Sequence, residues 1–139
     1  MPLYVLDTDH LSLMQRGNKI ISNKLLNIAS SELAITIISW EEQLRGWLAV
    51  INKVNSGEQL IKAYQQLKLA TLSFSQLNIL DYNHQADQLF DQFRKQKIRI
   101  GTQDLRIATI VITNNGILLT RNQKDFSQVP SLQIDDWSK

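Results

Sequence analysis

The chain has 139 residues, enough to bury a full core in one domain spanning residues 1–139. Its 43% apolar and 20% charged residues are ordinary for a globular protein, and a formal charge of +2 is only a weak pull toward an anionic partner. With no cysteine there is no disulfide or thiolate zinc site, no apolar run approaches the roughly 18 residues of a membrane span, and the opening Met-Pro-Leu-Tyr-Val-Leu-Asp lacks the form of a secretion signal, so the expected setting is the cytoplasm, with no membrane partner.

Leu3 to Leu6 reads as a strand buried on both faces, ending at Asp7-Thr8-Asp9. A short helix is expected over His10 to Gln15, with Asp9 as its N-cap, and a second over Asn18 to Ala29. The β-branched run Leu33 to Ile37 predicts another strand. Ser39-Trp40-Glu41-Glu42 then has the Ser-x-x-Glu form of a capping box, opening a helix to about Val54. Ser56-Gly57 breaks that pattern before a helix over Glu58 to Ala70, and the two helices pair as a hairpin. Leu77 to Leu80 is a third strand, followed by a helix from His84 to Lys95 capped by Asp81 or Asn83.

The stretch Ile100 to Ile112 is apolar on nearly every side after Gly101, Thr102 and Asp104, as expected of a helix buried on more than one side. Asn114-Asn115-Gly116 ends it. Ile117 to Thr120 is a fourth strand and Leu132 to Ile134 a short fifth. Strands alternating with helices predict a parallel sheet covered on both faces.

Ligands of such sheets bind beyond the C-terminal ends of the strands. Asp7, Glu42 and Asp125 reach that rim by topology; Asp104 joins them only if its helix begins there. Four carboxylates in one cleft repel one another without a cation. Hard ions such as Mg²⁺ take oxygen ligands, and two of them can hold a phosphodiester and activate a water. Each acid also has a plainer reading: Glu42 as the capping-box partner of Ser39, Asp104 as a dipole-favoured first-turn acid, Asp125 as a turn residue. Asp7 is the hardest to dismiss, because a lone charge after a doubly buried strand needs a partner.

His10 and His84 stand alone, without the spacing of a zinc site. Arg94, Lys95, Lys97 and Arg99 read as a solvated helix end, whereas Arg121 and Lys124, flanking Asp125, are placed for phosphate contact. Trp40, Trp47 and Trp137 read as core or interface anchors. No Gly-x-Gly-x-x-Gly or Gly-Lys-Ser/Thr loop is present, which argues against a nucleotide cofactor.

Four segments in order, Val5-Leu6-Asp7-Thr8-Asp9, Ser39-x-x-Glu42-x-x-x-Gly46, Asp104-Leu-x-Ile-Ala108 and Thr120-Arg-Asn122-x-x-Asp125-Phe126, resemble the PIN domain, and most of all the VapC-type toxins of bacterial toxin–antitoxin pairs. The resemblance covers residue 3 to about residue 135. It implies a three-layer α/β/α sandwich with a central, mainly parallel sheet of four to five strands. It also implies a Mg²⁺- or Mn²⁺-dependent endoribonuclease, a homodimer, and a small cognate antitoxin as inhibitor. Carried over by position, Asp7, Glu42, Asp104 and Asp125 are the catalytic, metal-holding acids, with Thr8, Thr120 and Asn122 as polar support. Many relatives carry an acid at the position of Asn122, so the fourth ligand is split between Asn122 and Asp125; Asp125 is preferred.

Two alternatives compete. Asp7-Thr8-Asp9 after the first strand also matches the Asp-x-Asp of haloacid-dehalogenase-type phosphatases, with Asp7 as nucleophile and Asp9 as acid. Against it, His10-Leu11 replaces small residues and no late acid pair lies near the fourth strand. A degenerate PIN-type module that only binds would be favoured by loss of an acid, and all four are present.

Overall fold

The computed structural model describes residues 2–139. Five strands, β1 (Tyr4–Leu6), β2 (Leu33–Thr36), β3 (Asn78–Leu80), β4 (Ile117–Leu119) and β5 (Gln133–Asp135), form one sheet in the order β3-β2-β1-β4-β5. All four pairings are parallel. Seven α-helices connect or cover the strands: α1 (Thr8–Gln15), α2 (Lys19–Leu25), α3 (Ile37–Lys53), α4 (Gly57–Phe74), α5 (His84–Lys95), α6 (Thr102–Thr113) and α7 (Gln123–Phe126). No helix among the described residues is long and apolar enough to cross a membrane.

Alternation along the strands divides the core in two. Val5, Ala34 and Leu118 point to one face, where they pack with Ala86 and Phe93 of α5 and with Leu105, Ala108 and Val111 of α6. Their neighbours Leu6, Ile35 and Leu119 point to the other, against Leu11 of α1, Ile21 of α2, Phe74 of α4 and Trp137. This two-residue period explains why the central strands read as unbroken apolar runs. The result is the α/β/α sandwich expected. Trp40 stacks on Phe74 and Trp137 on Tyr4, with ring centroids 4.2 and 4.7 Å apart, so both serve the core.

Several helix starts differ from expectation. The N-cap of α3 is Thr36, whose hydroxyl accepts from the Ser39 N–H at 3.1 Å. Ser39 therefore lies inside the first turn, and no Ser39–Glu42 capping box forms. Likewise Asp7, not Asp9, caps α1, accepting from the His10 N–H at 2.7 Å. Of the two cap candidates for α5, Asn83 makes the bond. Helix α2 stops at Leu25, short of Ala29, because the chain turns to a 3-10 segment at Ser30–Glu32. The hairpin helix α4 runs on past Ala70 to Phe74, which it buries. Beyond α6, Asn115 takes the positive φ of 54°, while Gly116 is required for space. A Cβ there would lie 3.1 Å from Val5 Cγ2 and 3.3 Å from the Leu3 carbonyl oxygen.

Candidate active site

The strand order reverses between β1 and β4, since the chain builds outward through β2 and β3 before returning to β4 on the other side of β1. In parallel α/β sheets that reversal opens a crevice at the C-terminal strand ends. Asp7 follows β1 and Thr120 follows β4 at this crevice. The placement of Asp104 is resolved as well. Helix α6 must deliver the chain to the start of β4, so its first turn lies at the C-terminal rim.

The structure brings the four acids into one electrostatic field. The Asp104 carboxyl is pushed up to about 6, first by burial and then by the charges of Glu42, Asp7 and Asp125. No basic group contributes to that shift.

The carboxylates are held from one side each. Asp7, only 7% exposed, has Oδ1 tied to the His10 N–H as the α1 cap. Thr8 Oγ1 donates to Glu42 Oε1 at 2.7 Å and lies 3.1 Å from Ser39 Oγ, locking α1 to α3. Asn122 caps α7 with its side-chain oxygen and donates from Nδ2 to Asp125 Oδ2 at 3.1 Å. Thr120, fully buried, accepts from the Asn122 N–H at 2.9 Å and so fixes the start of that turn. In each of these three acids one oxygen is spoken for and the other accepts no hydrogen bond from the described residues. Asp104 receives no hydrogen bond from the described residues.

Around this centre lie residues whose roles the sequence did not signal. Asp9 forms a two-pronged ion pair with Arg121, Nε to Oδ2 at 2.6 Å and Nη2 to Oδ1 at 2.7 Å, which lowers the Asp9 pKa. Both Asp9 oxygens are thereby occupied, which argues against its use as a phosphatase acid. Arg121, expected to meet phosphate, is committed through two of its nitrogens, while Lys124 is exposed. Glu41 accepts from Gln103 at 2.8 Å and from Arg45 at 2.7 Å, tying α3 to α6. Arg94, expected at a solvated helix end, instead donates to the carbonyls of Ile98 and Ile100 and reaches Thr102 Oγ1, strapping the loop that leads into α6. The Asp9–Arg121 and Glu41–Gln103 ties span 112 and 62 positions, and no local pattern announces them.

The donor set suits a hard cation. Oxygen ligands dominate, and beyond the effect of burial Asp104 is raised by like charges, a repulsion that a cation would relieve. Among the described residues, Asp7, Asp9 and His10 also offer ligand atoms within 4.8 Å of one another.

An α/β/α sandwich with its acids at the switch point of a five-stranded parallel sheet places the chain among the PIN-like proteins. More narrowly, it belongs to the VapC family of ribonucleases. It is 30% identical to ribonuclease VapC1 of Haemophilus influenzae across 99% of each chain. It is similar in structure to VapBC-1 of nontypeable Haemophilus influenzae, with a TM-score of 0.71 and 28% identity over 99% of each chain. DNA-bound VapBC of Salmonella typhimurium has the same fold, with a TM-score of 0.78 over 99% of each chain at 23% identity. No family model matches the chain.

Proposed function

We propose that this chain is a Mg²⁺- or Mn²⁺-dependent endoribonuclease and the toxin of a toxin–antitoxin pair. The observation that carries the reading is the coupling of Asp104 to Asp7, Glu42 and Asp125 at the sheet's switch point, with no lysine or arginine among the causes of its shift. Family membership supplies the substrate class, since the relatives are named as ribonucleases.

In this reading Asp7, Glu42, Asp104 and Asp125 hold the metal. When bound, it supplies Lewis-acid activation of a water and neutralises charge on the phosphodiester. The protein's own part is orientation. Asp7 offers Oδ2 because Oδ1 is fixed by the α1 cap. Glu42 offers Oε2 because Thr8 holds Oε1. Asp125 offers Oδ1 because Asn122 holds Oδ2. Asn122 thus acts through Asp125 rather than as the fourth ligand, and Thr120 supports both. Lys124 lies on the exposed side of α7, where an RNA backbone phosphate can meet it.

The partner is a small antitoxin, and the chain works as a homodimer in the cytoplasm. In support, α4 leaves Leu60, Ile61, Tyr64, Leu69 and Leu72 exposed, and Leu48 and Val50 of α3 are exposed too. Large exposed apolar side chains gathered on two neighbouring helices are the kind of surface that a partner covers.

The test is RNA cleavage by the purified protein with Mg²⁺ or Mn²⁺ and again after exhaustive chelation. Activity that survives chelation removes the metal from the mechanism; no cleavage of any RNA removes the nuclease reading itself.

A further inference from the structure

One buried polar group beside Asp7 has no part in that chemistry. The His10 imidazole is fully buried, and its Nδ1 has no hydrogen-bond partner. Its other nitrogen fixes the tautomer. The Trp137 N–H donates to His10 Nε2 at 3.1 Å, so Nε2 carries the lone pair and Nδ1 the proton. Asp136 Oδ1 also lies 3.5 Å from Nε2, but it already accepts from the Ser138 N–H at 2.8 Å and from the Ser138 hydroxyl. Nδ1–H is then left facing Asp7 Oδ1 at 3.5 Å. This is longer than a hydrogen bond, and a movement of about 0.5 Å closes it.

We infer that His10 is a positioning residue for Asp7. Its backbone N–H and its Nδ1–H both address Oδ1, which keeps Oδ2 turned to the cleft, and the C-terminal segment at Trp137 holds the ring in place. Ligating carboxylates are commonly steered by such outer contacts, which set the metal affinity of the site. A buried polar donor is costly unless satisfied, so an apolar side chain would serve better if His10 only filled space. The inference rests on the metal-dependent reading of the site.

Two variants separate the contacts. His10→Asn puts an amide nitrogen near the place of Nδ1 and loses the acceptor for Trp137. His10→Gln puts an amide oxygen near the place of Nε2 and loses the donor to Asp7. Mn²⁺ affinity is measured by calorimetry on the full chain, with metal-free melting alongside. H10Q should melt close to the wild type and bind Mn²⁺ about tenfold more weakly. H10N should melt lower and keep most of the affinity. Wild-type affinity in H10Q overturns the proposal, as does an equal loss of affinity in both variants. If H10Q does not fold, H10N decides alone, and a tenfold loss there overturns it. Nitrogen coupling in the electron paramagnetic resonance of bound Mn²⁺ would make His10 a ligand and overturn it too. Failure of the wild type to bind Mn²⁺ sinks the metal-dependent reading itself.

Discussion

Two sets of acids sit side by side at the rim of the sheet and are treated in opposite ways. Asp9 and Glu41 are sequence neighbours of Asp7 and Glu42, yet they face outward and are paired. Asp9 is gripped by Arg121, Glu41 by Gln103 and Arg45, and both pKa values are lowered. None of the inner set, Asp7, Glu42, Asp104 and Asp125, forms a salt bridge with a lysine or arginine among the described residues, and the carboxyl of Asp104 is raised to about 6, first by burial and then by the other three charges. One or two residues of separation thus decide whether an acid is paired by an arginine or left beside other acids. The outer pairs join α1 to the β4–α7 loop and α3 to α6; the inner acids are the ones proposed to hold the cation.

The largest expected break in this comparison comes from Asp104→Asn. It should lower cleavage by more than about 100-fold, since loss of a ligand should exceed the effect of losing an outer contact. Metal-free stability should hold or rise, by about 1 kcal/mol, because one repelling charge is gone. The stabilisation gained on adding Mg²⁺ should shrink. Melting temperatures with and without Mg²⁺, run beside the cleavage assay, check all three. A metal-free loss of several kcal/mol would make Asp104 a structural cap.

The two sets should also part with pH. Asp104 has a folded pKa above its unfolded value of 3.8, so the folded state takes up its proton first. Its contribution to metal-free stability therefore rises as pH falls from above 6 toward 4. Asp9 and Glu41 are shifted down, so their contributions are present above about 4 and are lost as pH falls below it. Chemical denaturation of the metal-free protein between pH 7 and 4.5 should show Asp104→Asn flatter than the wild type. Identical slopes in that window would mean that neither burial nor the neighbouring acids raise the Asp104 carboxyl.

Smaller still is Thr8→Val, which is nearly isosteric and removes the 2.7 Å bond to Glu42. It should cost about 1 kcal/mol and weaken Mn²⁺ binding about tenfold. Unchanged Mn²⁺ affinity would show that Glu42 needs no help from α1.

The sequence made the layers of this fold legible because their cause is local. Val5-Leu6, Ala34-Ile35 and Leu118-Leu119 each put one residue on either face, and α6 is apolar on several sides, as a helix between a sheet and a neighbouring helix must be. Asp7, Glu42 and Asp125 could be placed at one rim from strand topology, whereas the sequence left Asp104 open until the start of α6 was known. Helix starts were harder. Thr36 and Ser39, like Asp7 and Asp9, are all residue types able to cap, and tertiary placement chooses between them. The Asp9–Arg121 pair spans 112 positions, and the His10–Trp137 bond spans 127. Neither has a periodic or compositional signature, so only the folded chain reveals them.

The smallest effect should come from Asp9→Asn, and it bears on the identity of the site more than its size suggests. Asp9 caps nothing, so no helix start is lost. What goes is an ion pair whose side chains are both substantially exposed, at 43% and 52%, of the kind that adds little stability and fades with salt. Cleavage and Mn²⁺ affinity should therefore stay near the wild type, and the small loss in melting temperature should vanish in high salt. Two other arrangements predict otherwise. A phosphatase of the Asp-x-Asp kind needs Asp9 as its acid and would lose all activity. A cation held by Asp7, Asp9 and His10 would bind far more weakly in Asp9→Asn while Asp104→Asn bound it normally. Running both variants through one Mn²⁺ titration distinguishes the cases: affinity lost at residue 104 and kept at residue 9 assigns the cation to the inner acids.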